Sequence, residues 1–163
     1  MPFSFQGASG AVPIAGLMVS PVGVSVVDFA IPAGVRRLTL LSSGLYVPPG
    51  VIVRLGTSSG VLTSGYNGVQ HYIGPSANYP FAGGGVSSGM GFDAPRSEGG
   101  NGSFCMTFYR LSPNAWNAAG QSKNGEYTEI VSGNIILPSE LTTFRYISPV
   151  AINVGSLQLL WEY

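Results

Sequence analysis

The chain has 163 residues, a size that fits one domain and leaves little room for two. Only 9% of its residues are charged, and seven Lys and Arg balance seven Asp and Glu. This composition disfavours a nucleic-acid-binding role, because such a protein needs several cations to displace phosphate counterions. Charge-driven disorder is also disfavoured, since 45% of the residues are hydrophobic. A near-neutral surface promotes association, so we expect the chain to work inside an assembly.

The N-terminal segment, residues 1–21, is apolar without the alternation of a strand, and it contains prolines. We expect it to be an arm or extended segment that lies along a neighbouring subunit, followed by a single domain over residues 22–163. The stretch 11–27 has no basic residues before it and is broken by Pro, Ser and Gly. It therefore predicts neither a secretory signal peptide nor a membrane span, and we expect a soluble product that is not exported.

Short runs of β-branched and aromatic residues, separated by Gly and Pro, follow the N-terminal segment. They lie at residues 24–29, 35–41, 51–55, 61–63, 69–73, 103–111, 127–137, 144–147 and 157–163. Between two of these runs, Asn67-Gly68 predicts a type I′ hairpin turn, which needs positive φ at both positions. No window has the apolar spacing of a helix. The pattern predicts an all-β fold, an antiparallel two-sheet β-sandwich of jelly-roll type with long glycine-rich loops, and leaves a closed barrel as the alternative.

The run at 103–111 is the strongest predicted strand, and it contains the single cysteine, Cys105. One cysteine excludes an intrachain disulfide and a cysteine-rich zinc site. Inside a strand, we expect this thiol to be a small buried hydrophobic group. We expect no bound metal or cofactor, because close carboxylates and a phosphate-binding loop before a helix are also lacking.

Residues 74–102 and 112–125 are predicted as loops, since Gly, Ser, Pro and Asn dominate them. Recognition residues concentrate on loops, and aromatic rings there can stack on sugars or contact a partner protein. The candidate binding residues in or beside these loops are Tyr66, His71, Tyr72, Tyr79, Phe81, Phe92 and Trp116. The alternative is that these rings fold back over the open ends of the sandwich as small cores.

Two enzymatic interpretations are weaker. His71 would need a serine and Asp28 or Asp93 beside it to form a catalytic triad, and no nucleophile-elbow motif is present. Asp93 and Glu98 have the chemistry of paired glycosidase carboxylates, although Arg96 between them favours a local ion pair. We therefore expect no catalytic residues.

Four segments resemble small virion proteins of tailed bacteriophages. The first is IPAGVRRLTL at 31–40, and the second combines VRLG at 53–56 with GVLTSGY at 60–66. The others are Ser132-Gly133 and the ending GSLQLLWEY at 155–163. The similarity runs in patches over residues 24–163, and these motifs consist of turn and strand residues.

The resemblance implies a structural virion component, made in the host cytoplasm and assembled as a homo-oligomer, with a homotrimer expected. A receptor-binding tail-fibre tip is slightly favoured over capsid decoration (a cement protein). The implied partners are further copies of the chain, other virion proteins, and a host surface glycan or receptor, with no nucleic acid and no membrane insertion. A monomeric carbohydrate-binding module and a small hydrolase remain the alternatives from outside this family.

Overall fold

In a computed structural model, the structure describes residues 16–46, 50–73, 84–92, 101–124 and 127–163. These parts of the chain form strands and connecting turns, and none of them forms a helix long and apolar enough to span a membrane. The strands are β1 (Met18–Val19), β2 (Val26–Ala30), β3 (Arg37–Ser43), β4 (Leu45–Tyr46), β5 (Val51–Thr57), β6 (Gly60–Val61), β7 (Asn67–Ile73), β8 (Gly84–Val86), β9 (Met90–Phe92), β10 (Asn101–Arg110), β11 (Ala115–Asn124), β12 (Tyr127–Ile136), β13 (Thr143–Ile147) and β14 (Ser156–Glu162).

The described strands form two antiparallel sheets that pack face to face. The larger sheet has the order β1-β14-β3-β10-β11-β12-β7-β8, with β4 also paired to β10. The smaller sheet has the order β2-β13-β5-β6, with β9 also paired to β5. The predicted all-β, antiparallel two-sheet sandwich is confirmed.

The strand pairings are nested along the chain. Strand β1 pairs with β14, β2 with β13, β3 with β10, and β5 with β9. Successive pairs alternate between the larger and the smaller sheet, as in a long two-stranded ribbon rolled into a jelly roll. Strands β11, β12, β7 and β8 extend the larger sheet beyond this ribbon, so that it becomes much wider than the smaller one.

The core between the sheets is built around aromatic rings. From β10 in the larger sheet, Phe104 stacks on Tyr146 with 6.0 Å between ring centroids, and Phe108 meets Phe144 edge-on at 5.3 Å. Tyr146 and Phe144 belong to β13 in the smaller sheet, so these contacts join the two layers. Because apolar surface removed from water contributes about 25 cal/mol per Å², these large rings supply much of the stabilisation of the sandwich.

Two predicted connections are strands in the structure. Residues 115–124, within a predicted loop, form β11, and the described residues 84–92 of the other predicted loop include β8 and β9. The predicted hairpin turn at Asn67-Gly68 is also wrong. Both residues lie at the start of β7 and pair with β12, while the left-handed glycine of this connection is Gly65, with φ +87°.

The four segments that carry the bacteriophage resemblance occupy turns and strands of the fold. Gly34 ends the IPAG segment in a turn with φ +82°, a conformation that suits glycine. Gly155, before β14, has φ +102°, and a Cβ there would lie 2.6 Å from backbone atoms of Leu45. Backbone geometry therefore explains why glycine occupies positions 34 and 155.

Tyr66 joins two parts of one resembling segment. Its hydroxyl accepts a 2.7 Å hydrogen bond from the backbone N–H of Leu55 in β5 and lies 3.4 Å from the carbonyl of Leu62, to which it donates. The Tyr66 side chain and its hydrogen bond with Leu55 are buried, and burial raises the pKa of Tyr66 to about 12. On this edge of β5, the hydroxyl takes the place of a strand partner in the gap between β9, which pairs with Val51–Val53, and β6, which pairs with Gly56–Thr57.

Candidate functional site

The outer face of the larger sheet is the candidate functional surface. Its side chains are set by the alternation of strands, in which successive residues point to opposite sides. In β10, Phe104, Met106 and Phe108 are buried in the core, while Cys105 is partly exposed and Tyr109 is exposed. Cys105 faces outward and is partly exposed, so the prediction that it is a buried hydrophobic group is wrong.

The strand register lines up the outward residues of β14, β3, β10, β11, β12 and β7 in rows. One row contains Gln158, Leu41, Cys105, Gln121, Ile130 and His71. The central row contains Leu160, Thr39, Thr107, Ala119, Ser132 and Val69. The third row contains Glu162, Arg37, Tyr109, Asn117, Asn134 and Asn67. A shorter fourth row contains Ser103, Lys123, Thr128 and Ile73. These 22 positions are called the outer face below.

The outer face has almost no charge. Of its 22 positions, only Arg37, Glu162 and Lys123 carry a formal charge near neutral pH. Arg37 and Glu162 form an ion pair at 3.2 Å, and the Arg37 guanidinium also lies 5.4 Å from the centre of the Tyr109 ring. Lys123, at the margin, is therefore the one cation of the face that has no ion-pair partner among the described residues.

Aliphatic side chains project from one end of the outer face. Val69 and Ile73 of β7 and Ile130 of β12 are 47%, 49% and 44% exposed. The register places Ile130 on the row between those of Val69 and Ile73, so the three form one apolar cluster. In an antiparallel sheet that faces water on one side, this face is ordinarily polar. The cluster thus marks a surface suited to contact with another molecule.

The middle of the outer face is low because its residues are small. Thr39 and Thr107 share a 3.3 Å hydrogen bond, and Ala119 and Ser132 continue the same row. Beside this row, an open groove of about 420 Å³ lies along β3, β10 and β11, lined by residues that include Gln121. Small residues at the centre allow a partner surface to approach the sheet closely.

The structure separates the predicted aromatic binding residues. Tyr66, Phe92 and Trp116 are 4%, 1% and 2% exposed and belong to the core. For these three, the alternative that the rings pack inward is therefore the correct one, and the rings are not available to a ligand. His71 is on the outer face, opposite Ile130. Tyr72 lies in β7, but its side chain is outside the described part of the structure. Tyr79 and Phe81 are not among the described residues.

The residues of the two enzymatic interpretations are not brought together in the described part of the chain. Asp28 is on β2 and points outward from the smaller sheet, whereas His71 points outward from the larger sheet, on the opposite side of the sandwich. Asp28 instead forms a bidentate pair with Arg145, at 2.7 and 2.6 Å, which holds the pKa of its carboxyl below the usual range. Asp93 and Glu98 lie outside the described residues.

Among the residues that the structure describes, no group of three or more His, Cys, Asp or Glu is placed to hold a metal ion. The carboxylate of Glu129 is a buried group that the sequence did not single out, on the core-facing side of β12. Glu129 and Ile130 are neighbours in a run that is predicted as a strand, so they must point to opposite sides. This alternation is the sequence signal from which the inward position of Glu129 could be predicted.

Comparison with known proteins gives no family assignment. No protein-family model matches the chain, and no curated protein matches it significantly.

Proposed function

We propose that the chain is a structural component of a bacteriophage virion and acts by binding, as one subunit of a homo-oligomer. A receptor-binding tail-fibre tip is the favoured place, with capsid decoration second. The observation that carries the binding role is the outer face, on which only three of 22 positions are charged and aliphatic side chains stand exposed. Such a face suits a lasting contact with another molecule.

The place in a virion is supported by the resemblance of segments 31–40, 53–66 and 155–163 to small tailed-phage virion proteins. The fold is compatible with this role, because a jelly roll is a rigid scaffold found in viral capsid domains. Fold alone does not identify function, so the proposal joins the sequence resemblance to the character of the outer face.

A carbohydrate-binding module is a second candidate, and one row of the outer face favours it. Tyr109, Asn117, Asn134 and Asn67 follow one another on four neighbouring strands. At a strand spacing of about 4.8 Å, this row of one ring and three amides extends over about 14 Å. Amide groups and a phenol offer donors and acceptors that fit sugar hydroxyls.

Antibody labelling tests the proposed place. Antibody raised against the chain should label the tail-fibre tips of the phage that encodes it in electron micrographs. In parallel, the purified protein should bind host cells and should not bind expanded capsids. Label over the capsid shell, with binding to capsids and none to cells, would establish decoration instead. Absence of label from intact and disrupted particles would overturn the virion assignment.

A further inference from the structure

We infer that the outer face of the larger sheet is covered by another copy of this chain. This inference deepens the proposed function, on whose homo-oligomer it rests, by naming both the surface and the molecule that occupies it. The charge, the area and the relief of the outer face all favour a second copy as its occupant.

The outer face carries little net charge. Two copies of one surface bring like charges together whenever that surface carries a net charge, and juxtaposed like charges cost several kcal/mol. The outer face keeps this cost small, because Arg37 is paired with Glu162 and Lys123 alone adds a net charge to the 22 positions, near the margin. The whole chain is also neutral, with seven cations and seven anions. A copy of the chain therefore meets little electrostatic repulsion here.

The area of the outer face is close to that of one side of a protein–protein interface. With a strand spacing of about 4.8 Å and a rise of about 3.4 Å per residue, each outward side chain occupies about 33 Å² of the sheet. The 22 positions then cover about 700 Å², close to the roughly 800 Å² that each partner buries in a specific protein–protein interface. The face is thus large enough for stable association without any contribution from the loops.

The outer face has both low and projecting parts. The central row is low at Thr107, Ala119 and Ser132, whereas Val69 at the end of the same row and Ile130 in the adjacent row are nearly half exposed. Packing of aliphatic side chains over small ones excludes water and approaches the density of a protein interior. A copy of the same chain supplies both the projecting aliphatic groups and the low surface that receives them.

Other occupants fit less well. A nucleic acid requires a set of cations, and the 22 described positions of the outer face include only two, Lys123 and the ion-paired Arg37. A glycan can use the amides of Asn117, Asn134 and Asn67, but the aliphatic cluster at Val69 and Ile130 offers it no hydrogen bond. A second copy accounts for both parts of the face.

The inference is tested by placing a charge at the centre of the outer face. Ala119 is exposed and directly opposite Ser132, so Ala119→Glu can be accommodated in the monomer. Sedimentation velocity over a series of micromolar concentrations should show that wild type associates and that Ala119→Glu associates at least tenfold more weakly. Ser132→Glu should behave in the same way, and it replaces Ala119→Glu if that variant does not fold.

Two variants serve as matched controls. Ala119→Ser keeps the site small and neutral, and Val150→Glu places the same charge on a loop residue that is 48% exposed, like Ile130. Both should associate as wild type does. Monomeric wild type, unimpaired association of both Glu variants at the centre, or equal impairment by Val150→Glu would overturn the inference. Glycan binding that Ala119→Glu abolishes in a monomeric wild type would also overturn it. These outcomes are separate from antibody labelling, which tests the place in the virion alone.

Discussion

The hydroxyls of Tyr66 and Tyr146 are both buried, yet they should differ sharply in their contribution to stability. Tyr66 accepts the 2.7 Å hydrogen bond from the N–H of Leu55, whereas the Tyr146 hydroxyl has no hydrogen-bond partner among the described residues. Tyr66→Phe leaves a buried N–H unsatisfied, which costs about 2 kcal/mol within a range of about 1–3. Tyr146→Phe removes a polar group that was already unsatisfied, so the expected change is within about 0.5 kcal/mol, or a small stabilisation.

Thermal and denaturant unfolding at a fixed protein concentration measure this difference. A loss of about 2 kcal/mol should lower the Tm of Tyr66→Phe by about 4–8 °C, since each kcal/mol shifts the Tm of a domain of this size by about 2–4 °C. Tyr146→Phe should unfold within about 2 °C of wild type. Equal losses in the two variants, or a larger loss in Tyr146→Phe, would refute the assignment of the hydrogen bond at Tyr66 as the stabilising contact.

The pH dependence gives a second readout of the same group. Burial raises the pKa of Tyr66 from its ordinary value of 10 to about 12. Below pH 10 the group is protonated in both the folded and the unfolded state, and its pKa shift has no effect on stability. Between pH 10 and 12 the unfolded state loses the proton first, so stability falls as pH rises, by about 2–3 kcal/mol in total. Tyr66→Phe should lack this part of the alkaline loss, and an unchanged alkaline profile would contradict the assignment.

Two further predictions concern backbone geometry and an ion pair. Gly155→Ala should destabilise the protein more than Gly34→Ala, because both have positive φ but only at Gly155 would a Cβ lie 2.6 Å from the backbone of Leu45. Urea unfolding tests this, with a loss of about 1 kcal/mol expected at Gly34, and equal losses would contradict it. Asp28→Asn removes the partly exposed pair with Arg145 and should cost about 0.5 kcal/mol near neutral pH. Since the pKa of Asp28 is lowered, this difference should vanish as pH falls through that value, and a difference that persisted in strong acid would refute the role of the pair.

The fold was largely predictable because most strands carry β-branched or aromatic residues at alternate positions. Strand β10 shows this most clearly, with Phe104, Met106 and Phe108 on one side. Strand β11 was missed, because its sequence AWNAAGQSKN is rich in Ala, Asn and Gly, which have low β propensity. It forms because β10 and β12 pair with it along both edges, and this tertiary contact overrides local preference.

The candidate site was only partly predictable. Alternation in β10 placed Cys105 and Tyr109 on one face, but the outer face exists only after the register of six strands is known. Sequence gives no direct measure of that register. Aromatic rings near predicted loops were a poor guide as well, because Phe92 and Trp116 lie in β9 and β11 with their side chains inward.

The reactivity of the one cysteine tests the central claim most directly. Cys105 is a free, partly exposed thiol on the outer face, between Leu41 and Gln121. A thiol reagent should label it quickly in dilute protein and progressively more slowly as concentration rises, in step with the increase in mass seen by sedimentation. A labelling rate that stays constant while the mass increases would show that copies of the chain associate through another surface, and would contradict the account.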